Sequence, residues 1–434
     1  MAEVMIGSKT LVFSPPVNAA TRHWGVYSIP RMWRIPSGRL VVRFNGEQDC
    51  SDPDMMNMAP HLYFISDDNG ETWHPDPHGE SLYDKSVLQG ITPPYLHLSD
   101  GKWIALRTLS DRKPIENVPC GKEFIFPNLG SYLKAYPQAD IPEECKGIEL
   151  LTYADANAQP EVSPVSLHFP EWEVLVESKA YEGGGYKDIP NYVKPVHWKN
   201  PYISALTELP DCSLGALVCG QHPDVYDRYC SAIYFVVSDD GGKTWHKRAT
   251  AAAGMEDVPY GYGGDGHEVS LALTGDGILV CAMRMDVSVS PKIATPICDC
   301  YVTVSKDLGH TWCKPFPVAD SSVTPQLITL DDEIVVLFYG RPGVHFKYSE
   351  DGGMTWSRAY SLIGKTLEEE RLAGRSDFDS KYGDTVSYSN IFIERLSSDS
   401  VLVLYNDLKY DEGDGVPHKA AFVRKITLNK GTQE

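Results

Sequence analysis

The chain has 434 residues, enough for two or three ordinary domains or for one domain that enlarges by repeating a unit. Its 59 acidic residues outweigh 39 basic ones, for a formal charge of −20. That balance excludes nucleic-acid binding through a broad basic face, yet a local arginine cluster can still hold a small anion. No apolar run approaches the length that spans a bilayer.

In chain order, residues 8–14 read as a strand. A unit from about Trp24 to Trp73 follows, with strands at Ile29–Pro36 and Arg39–Phe44 around a turn at Ser37-Gly38, then a third strand at His61–Ile65. The next unit begins near Val87 and holds Tyr95–Leu98, a turn at Ser99-Asp-Gly101, and Trp103–Leu106. Residues 110–197 are the least regular part. They carry Pro- and Gly-rich pieces such as Glu182-Gly-Gly-Gly-Tyr186, and read as a long loop insertion over one face. Three further units pair Tyr202–Leu206 with Ser213–Val218, Glu268–Leu273 with Ile278–Arg284, and Pro325–Leu330 with Ile334–Tyr339. The charged residues 364–381 predict one short surface helix. The last unit holds Tyr388–Ile393, Val401–Tyr405 and the C-terminal strand 420–428. β-Branched and aromatic residues dominate these runs, as pleated, half-buried strands require.

One pattern punctuates the units: S-x-D-x-G-x-x-W. It stands at Ser66, Asp68, Gly70, Trp73; at Ser238, Asp240, Gly242, Trp245; at Ser305, Asp307, Gly309, Trp312; and at Ser349, Asp351, Gly353, Trp356. Each copy follows a strand-like run, so it reads as a hairpin turn. The Asp accepts hydrogen bonds from amides of its own turn, the Gly supplies a positive φ, and the Trp packs back across the hairpin. Such a device is structural, and function is sought elsewhere. A degenerate copy is expected at Tyr153-Ala-Asp-Ala-Asn157. The third and fourth copies are 44 residues apart, which fits a four-stranded propeller blade.

The motif resembles the Asp-box, or BNR repeat, of the sialidase superfamily. The resemblance implies an all-β fold, a six-bladed β-propeller with Asp-box hairpins and a long loop insertion. It is expected to be a single domain over residues 1–434, insertion-rich at 110–197. Strand 8–14 would complete the last blade beside 420–428 and so remove an exposed sheet edge.

In such a fold the starts of the innermost strands converge on a common funnel. Blade six opens at Tyr388 and blade four at His267-Glu268. In the family, a tyrosine at the last inner strand is the nucleophile and a glutamate at an earlier one polarises it; Tyr388 and Glu268 match. A phenol of pKa about 10 attacks well only when a carboxylate takes its proton. Arg284, 16 residues after Glu268, resembles the second of three arginines that hold the sugar carboxylate, and Arg341 the third. The first departs from the pattern: Ser28, in Tyr27-Ser-Ile-Pro30, stands where arginine is expected. A second Arg-Ile-Pro, Arg34 to Pro36, is one substitute, though it lies six residues on, near the outer end of that strand; Arg31 is the other. The family acid/base resembles Asp54, with Asp52 and Asp49 as alternatives, and His267 is a further funnel-lining group. The plainer reading stands beside each: packing for the tyrosine, salt bridges for the arginines, a solvated loop for the aspartates.

The reading preferred is an exo-acting glycoside hydrolase that removes a terminal acidic sugar with retention. Another propeller exo-glycosidase, a polysaccharide lyase, and a catalytically inactive glycan-binding propeller are the alternatives. A glycan is the expected partner, with no nucleic acid and no membrane span. No His/Cys/Asp spacing suggests zinc and Gly261-Tyr-Gly-Gly-Asp-Gly266 follows no nucleotide pattern, so no metal or cofactor is expected. Ten cysteines without a C-x-x-C pair, several in apolar runs like Cys281, suggest a reducing compartment. The first residues lack the apolar core of a signal peptide, which fits a cytoplasmic protein or a secreted one with its leader removed.

Overall fold

Among the described residues, strand follows strand. The computed structural model describes residues 2–18, 21, 26–28, 30–46, 59–79, 95–108, 119, 122–126, 131–137, 140, 148–155, 158–168, 173–182, 185–188, 202–221, 231–252, 261–262, 268–287, 297–320, 323–340, 343–364 and 391–430. The predicted helix at 364–381 lies outside them from residue 365 on. Among the described residues no helix is long and apolar enough to cross a membrane.

Strand β1 (Glu3–Phe13) opens the chain. Blade one is β2 (Pro30–Arg34), β3 (Leu40–Phe44), β4 (Leu62–Ser66) and β5 (His74–Pro75), paired in that order. Blade two begins with β6 (Tyr95–His97) and β7 (Trp103–Thr108). A hairpin of β8 (Lys122–Phe126) and β9 (Ser131–Pro137) intervenes before the blade finishes with β10 (Ile148–Tyr153) and β11 (Glu161–Pro164). Next come β12 (Ser166–His168) and a second hairpin, β13 (Glu173–Glu182) and β14 (Gly185–Asp188). Blade three is β15 (Tyr202–Glu208), β16 (Leu214–Gln221), β17 (Ser231–Ser238) and β18 (Thr244–Ala252), with β12 added in parallel on its outer edge. Blade four contains β19 (Gly261–Tyr262), β20 (Val269–Leu273), β21 (Leu279–Val287), β22 (Ile297–Ser305) and β23 (Phe316–Ala319). Blade five is β24 (Gln326–Leu330), β25 (Ile334–Gly340), β26 (Val344–Ser349) and β27 (Tyr360–Ile363). Blade six is β28 (Phe392–Arg395), β29 (Ser400–Asp411) and β30 (Pro417–Asn429), closed by β1 pairing antiparallel with β30 as expected. The fold class is an all-β, six-bladed propeller.

Within 110–197, which the sequence suggested as a loop insertion, the described residues include strands. Its two hairpins leave the blade framework at separate points and then join through an antiparallel β9–β13 pairing into one four-stranded sheet. Glycine and proline punctuation hid these strands, and no local pattern reports pairing between segments with three strands between them.

Contacts gather the chain into two compact units. One comprises Met1–Lys85, Ser270–Val304 and Pro315–Glu434; the other comprises Ser86–Val269 and Ser305–Lys314. In the first, Met32, Val42, Phe44 and Phe64 of blade one pack on Phe392 and Leu404 of blade six. Phe338 and Phe346 of blade five pack in turn with Ile393 and Phe422 of blade six. In the second, Ile104 and Leu150 of blade two face Ala216, Val236 and Trp245 of blade three. Strand β25 is buried along its whole length, which explains its unbroken apolar run.

The four boxes share one geometry. In each, the Ser hydroxyl donates to an Asp oxygen at 2.7–2.8 Å and accepts the Gly amide at 2.8 Å. The Asp also accepts the amide of the Thr before the Trp at 2.8–2.9 Å. The indole donates to the Gly carbonyl at 2.8–3.2 Å. These bonds hold Asp68 and Asp307 down at about 2. For Asp68 the Thr72 hydroxyl dominates; for Asp307 partial burial pushes upward and Thr311 and Ser305 outweigh it. The glycines have φ of 85–97°. Each abuts the blade before it: Gly70 meets Leu402, Gly242 meets Leu150, Gly309 meets Phe235 and Gly353 meets Val280. The boxes therefore seat blade on blade.

Candidate functional site

The opening of blade one is built from Val26, Tyr27 and Ser28. Tyr27 has φ 57°, the left-handed region that a bulky side chain enters only when its surroundings force it. Four hydrogen bonds supply that force. The Tyr27 amide donates to the Asn45 carbonyl at 2.9 Å and its hydroxyl to the Pro60 carbonyl at 2.9 Å. From blade six, the Asn406 side-chain amide donates to the Ser28 carbonyl at 2.7 Å, and the Lys419 ammonium donates to the Val26 carbonyl at 2.8 Å. Burial draws Lys419 down to about 8 and raises the Tyr27 phenol. Ser28 itself is fully buried, its hydroxyl turned toward the Val26 carbonyl.

Just inside the opening, Arg31 on β2 lies opposite Arg43 on β3, and Arg43 lies opposite Tyr63 on β4. Alternation puts this row on the face away from Met32, Val42 and Phe64, which pack on blade six. Arg31 is half-buried and Arg43 buried. Burial raises the Tyr63 phenol against the opposing pull of the Arg43 guanidinium.

In blade four, Glu268 immediately precedes β20 and is half-buried beside the fully buried Val269. Arg284 lies on the neighbouring strand β21, half-buried after a run from Leu279 to Met283 that is wholly buried. Tyr388, Asp54, Asp52, Asp49, His267 and Arg341 lie outside the described residues. The described candidates thus fall in two places: Ser28 and Arg31 at blade one, Glu268 and Arg284 at blade four.

Three participants were not found by reading the sequence: Asn406, Lys419 and Arg43. Arg43 sits in the apolar run Leu40–Phe44, and a buried charge there was a usable signal. Asn406 and Lys419 carry no local signal, because their partners are about 380–390 positions away.

The far ends of the same strands hold different chemistry. The Glu394 carboxylate on β28 accepts the Arg34 amide at 3.0 Å, and burial pushes it up to about 7 against the pull of the Arg34 guanidinium. Arg34 also donates to the Gly38 carbonyl at 2.6 Å and to Asn69 in the first box at 3.1 Å. Arg395 donates to the Thr329 carbonyl on β24. Arg34, weighed above as a stand-in at the opening, is therefore spent on stitching these far ends.

Comparison with known families bears on the four turns. A model of the BNR/Asp-box repeat matches residues 64–75, 236–247 and 347–358. The chain carries BNR/Asp-box repeats. The turn at Ser305–Trp312 has the same hydrogen bonds without matching that model. No curated protein sequence matches the chain. Among solved structures, a protein of unknown function from Dyadobacter fermentans is similar at TM-score 0.53 and 16% identity, over 98% of this chain and 99% of that one. The α-L-arabinofuranosidase Arb93A of Fusarium graminearum, in complex with an iminosugar inhibitor, is similar at TM-score 0.50 and 11% identity, over 96% and 97%. The NanB sialidase of Streptococcus pneumoniae is similar at 0.43 and 15%, over 97% of this chain and 70% of that one. At these identities the likeness is one of fold. The propeller is related in fold to glycoside hydrolases.

Proposed function

We propose that the protein is a glycoside hydrolase that releases a terminal sugar with retention of configuration. The observation that carries the reading is the pair in blade four: a half-buried carboxylate at the opening of an inner strand and a half-buried guanidinium on the strand beside it. In this mechanism the Tyr388 oxygen attacks the anomeric carbon and its proton passes to Glu268. The bond to the leaving oxygen breaks as Asp54 protonates that oxygen, with Asp52 and Asp49 as the other candidates for this role. Water then attacks the tyrosyl-sugar intermediate, Asp54 takes its proton, and Glu268 returns the first proton to the phenoxide. Arg284 and Arg341 bind an acidic substituent, and Arg31 and His267 line the site.

A second reading, a neutral sugar, is favoured by Ser28. The position offers a buried hydroxyl where a carboxylate-binding guanidinium would stand. Loss of one charge-assisted hydrogen bond weakens an acidic ligand by about 1.5–3 kcal/mol. The fold-level likeness to an arabinofuranosidase supplies arabinofuranose as the neutral candidate.

The test is a screen of aryl glycosides carrying sialic, ulosonic and uronic acids and neutral sugars including arabinofuranose. On the substrate turned over, Tyr388→Phe is expected to lower kcat by at least about a thousandfold. Full activity in that variant removes the mechanism, and an unsaturated, ultraviolet-absorbing product points to a lyase. Arg284→Met separates the two readings, since it raises KM for an acidic substrate and leaves a neutral one unchanged.

A further inference from the structure

We propose that Lys419 is a positioning residue of the candidate active site: from blade six, together with Asn406, it holds the backbone of the blade-one opening in its working shape. The inference rests on the glycosidase reading above. It starts from direction. Strand β29 ends, and β30 begins, at the end of blade six where β28 begins, and Phe392, Leu404 and Val423 stand level across the three strands. Asn406 and Lys419 lie beyond that level, on the side of the openings. There they bond to carbonyls two residues apart, Val26 and Ser28, on either side of a tyrosine in the left-handed region. Ser28 is the position where a family arginine would emerge. A side chain does not reach out from it, so the shape of its backbone is what the opening presents.

A neutral side chain would bridge the same gap without the cost of burying a charge. Lysine keeps the bond charge-assisted while it is protonated. Its ammonium, drawn down to about 8 by burial, loses that charge on the alkaline side of neutrality. The groups around it do not account for a loss there. Tyr27 of the opening and Tyr405 of β29 are raised above an ordinary phenol, the latter to about 12. Asp407 of β29 is a carboxyl raised by burial and countered by the Lys409 amide and by Lys9 of β1. His418 is raised by its exposed pairing with Asp414 at 2.9 Å at the hairpin tip.

The experiment uses the full chain and the substrate from the screen, with the pH profile of kcat/KM and hydrogen exchange of the peptide spanning residues 24–30. Wild type should lose kcat/KM above about pH 8. Lys419→Met should lower kcat/KM by about tenfold to a hundredfold at neutral pH through misplacement of the opening, and should speed exchange in that peptide. It should also abolish the alkaline limb, which a contribution from His418 would leave in place. Lys419→Arg should restore activity and carry the limb upward, since guanidinium stays charged. Lys425→Met, exposed on the same strand, should match wild type. Wild-type kinetics in Lys419→Met with faster exchange overturn the positioning role. If wild type hydrolyses nothing in the screen, the glycosidase reading has failed, and exchange alone judges the clasp: faster in Lys419→Met supports it, unchanged overturns it.

Discussion

The two ends of the blades obey different rules. At the far ends, four turns repeat one hydrogen-bond set within 0.1 Å at the serine and seat each glycine on the preceding blade. The two described openings differ: blade one has a strained tyrosine clasped by a lysine, and blade four a glutamate ahead of a buried strand. Chemistry that holds the scaffold is local and can be copied from blade to blade. At the two described openings the groups are not copied from one blade to the other.

The comparison breaks first if the box tryptophans are dispensable. Trp245 is fully buried among Leu150, Ala216 and Val236, so Trp245→Ala should cost about 3–5 kcal/mol in denaturant unfolding. A loss below 1 kcal/mol would show that the box does not seat the blade.

Glu394 sharpens it, as a buried acid at the end where structure alone is at stake. Its folded value of about 7 lies above the ordinary 4.5. The folded state therefore holds the proton more tightly, and stability is fully present below about pH 4.5 and lost as pH rises through about 7. The gap corresponds to about 3 kcal/mol. Glu394→Gln should be more stable than wild type above pH 7 and converge with it near pH 4.5. Parallel melting-temperature profiles of the two proteins would refute this.

Gly309→Ala separates strain from seating. At Gly309 an added Cβ meets the Phe235 ring at φ 85°, whereas at Gly101, with φ 89°, it meets nothing within 4 Å. The first should cost about 2 kcal/mol and the second about 1. Equal losses in chemical denaturation would assign the whole effect to φ.

The smallest effect is expected at Asp68, a half-buried box acid. Asp68→Ala should cost about 1 kcal/mol at neutral pH, since solvent screens much of its pull. Wild type should lose that increment only as pH falls toward about 2. An unchanged midpoint at neutral pH would leave the Ser66 hydroxyl as the turn's anchor.

The box turns were legible because every group they need lies within eight residues, and a hairpin closes on its own hydrogen bonds. The blade strands were legible from the same locality: β-branched runs such as Ile334–Tyr339 predict burial on both faces. Even the closing strand could be read, since a closed propeller calls for residues 8–14 to complete the last blade. By itself, then, the sequence determined an all-β chain of Asp-box blades, and through its family resemblance it offered Glu268 and Arg284 as candidates. Only the tertiary structure decided that two hairpins from 122–137 and 173–188 become one sheet and that Lys419 reaches Val26. The reason is physical: a hydrogen bond between residues about 390 positions apart leaves no trace in local propensity, and a lysine's surroundings, not its neighbours in the chain, set whether it is a solvated charge or a clasp.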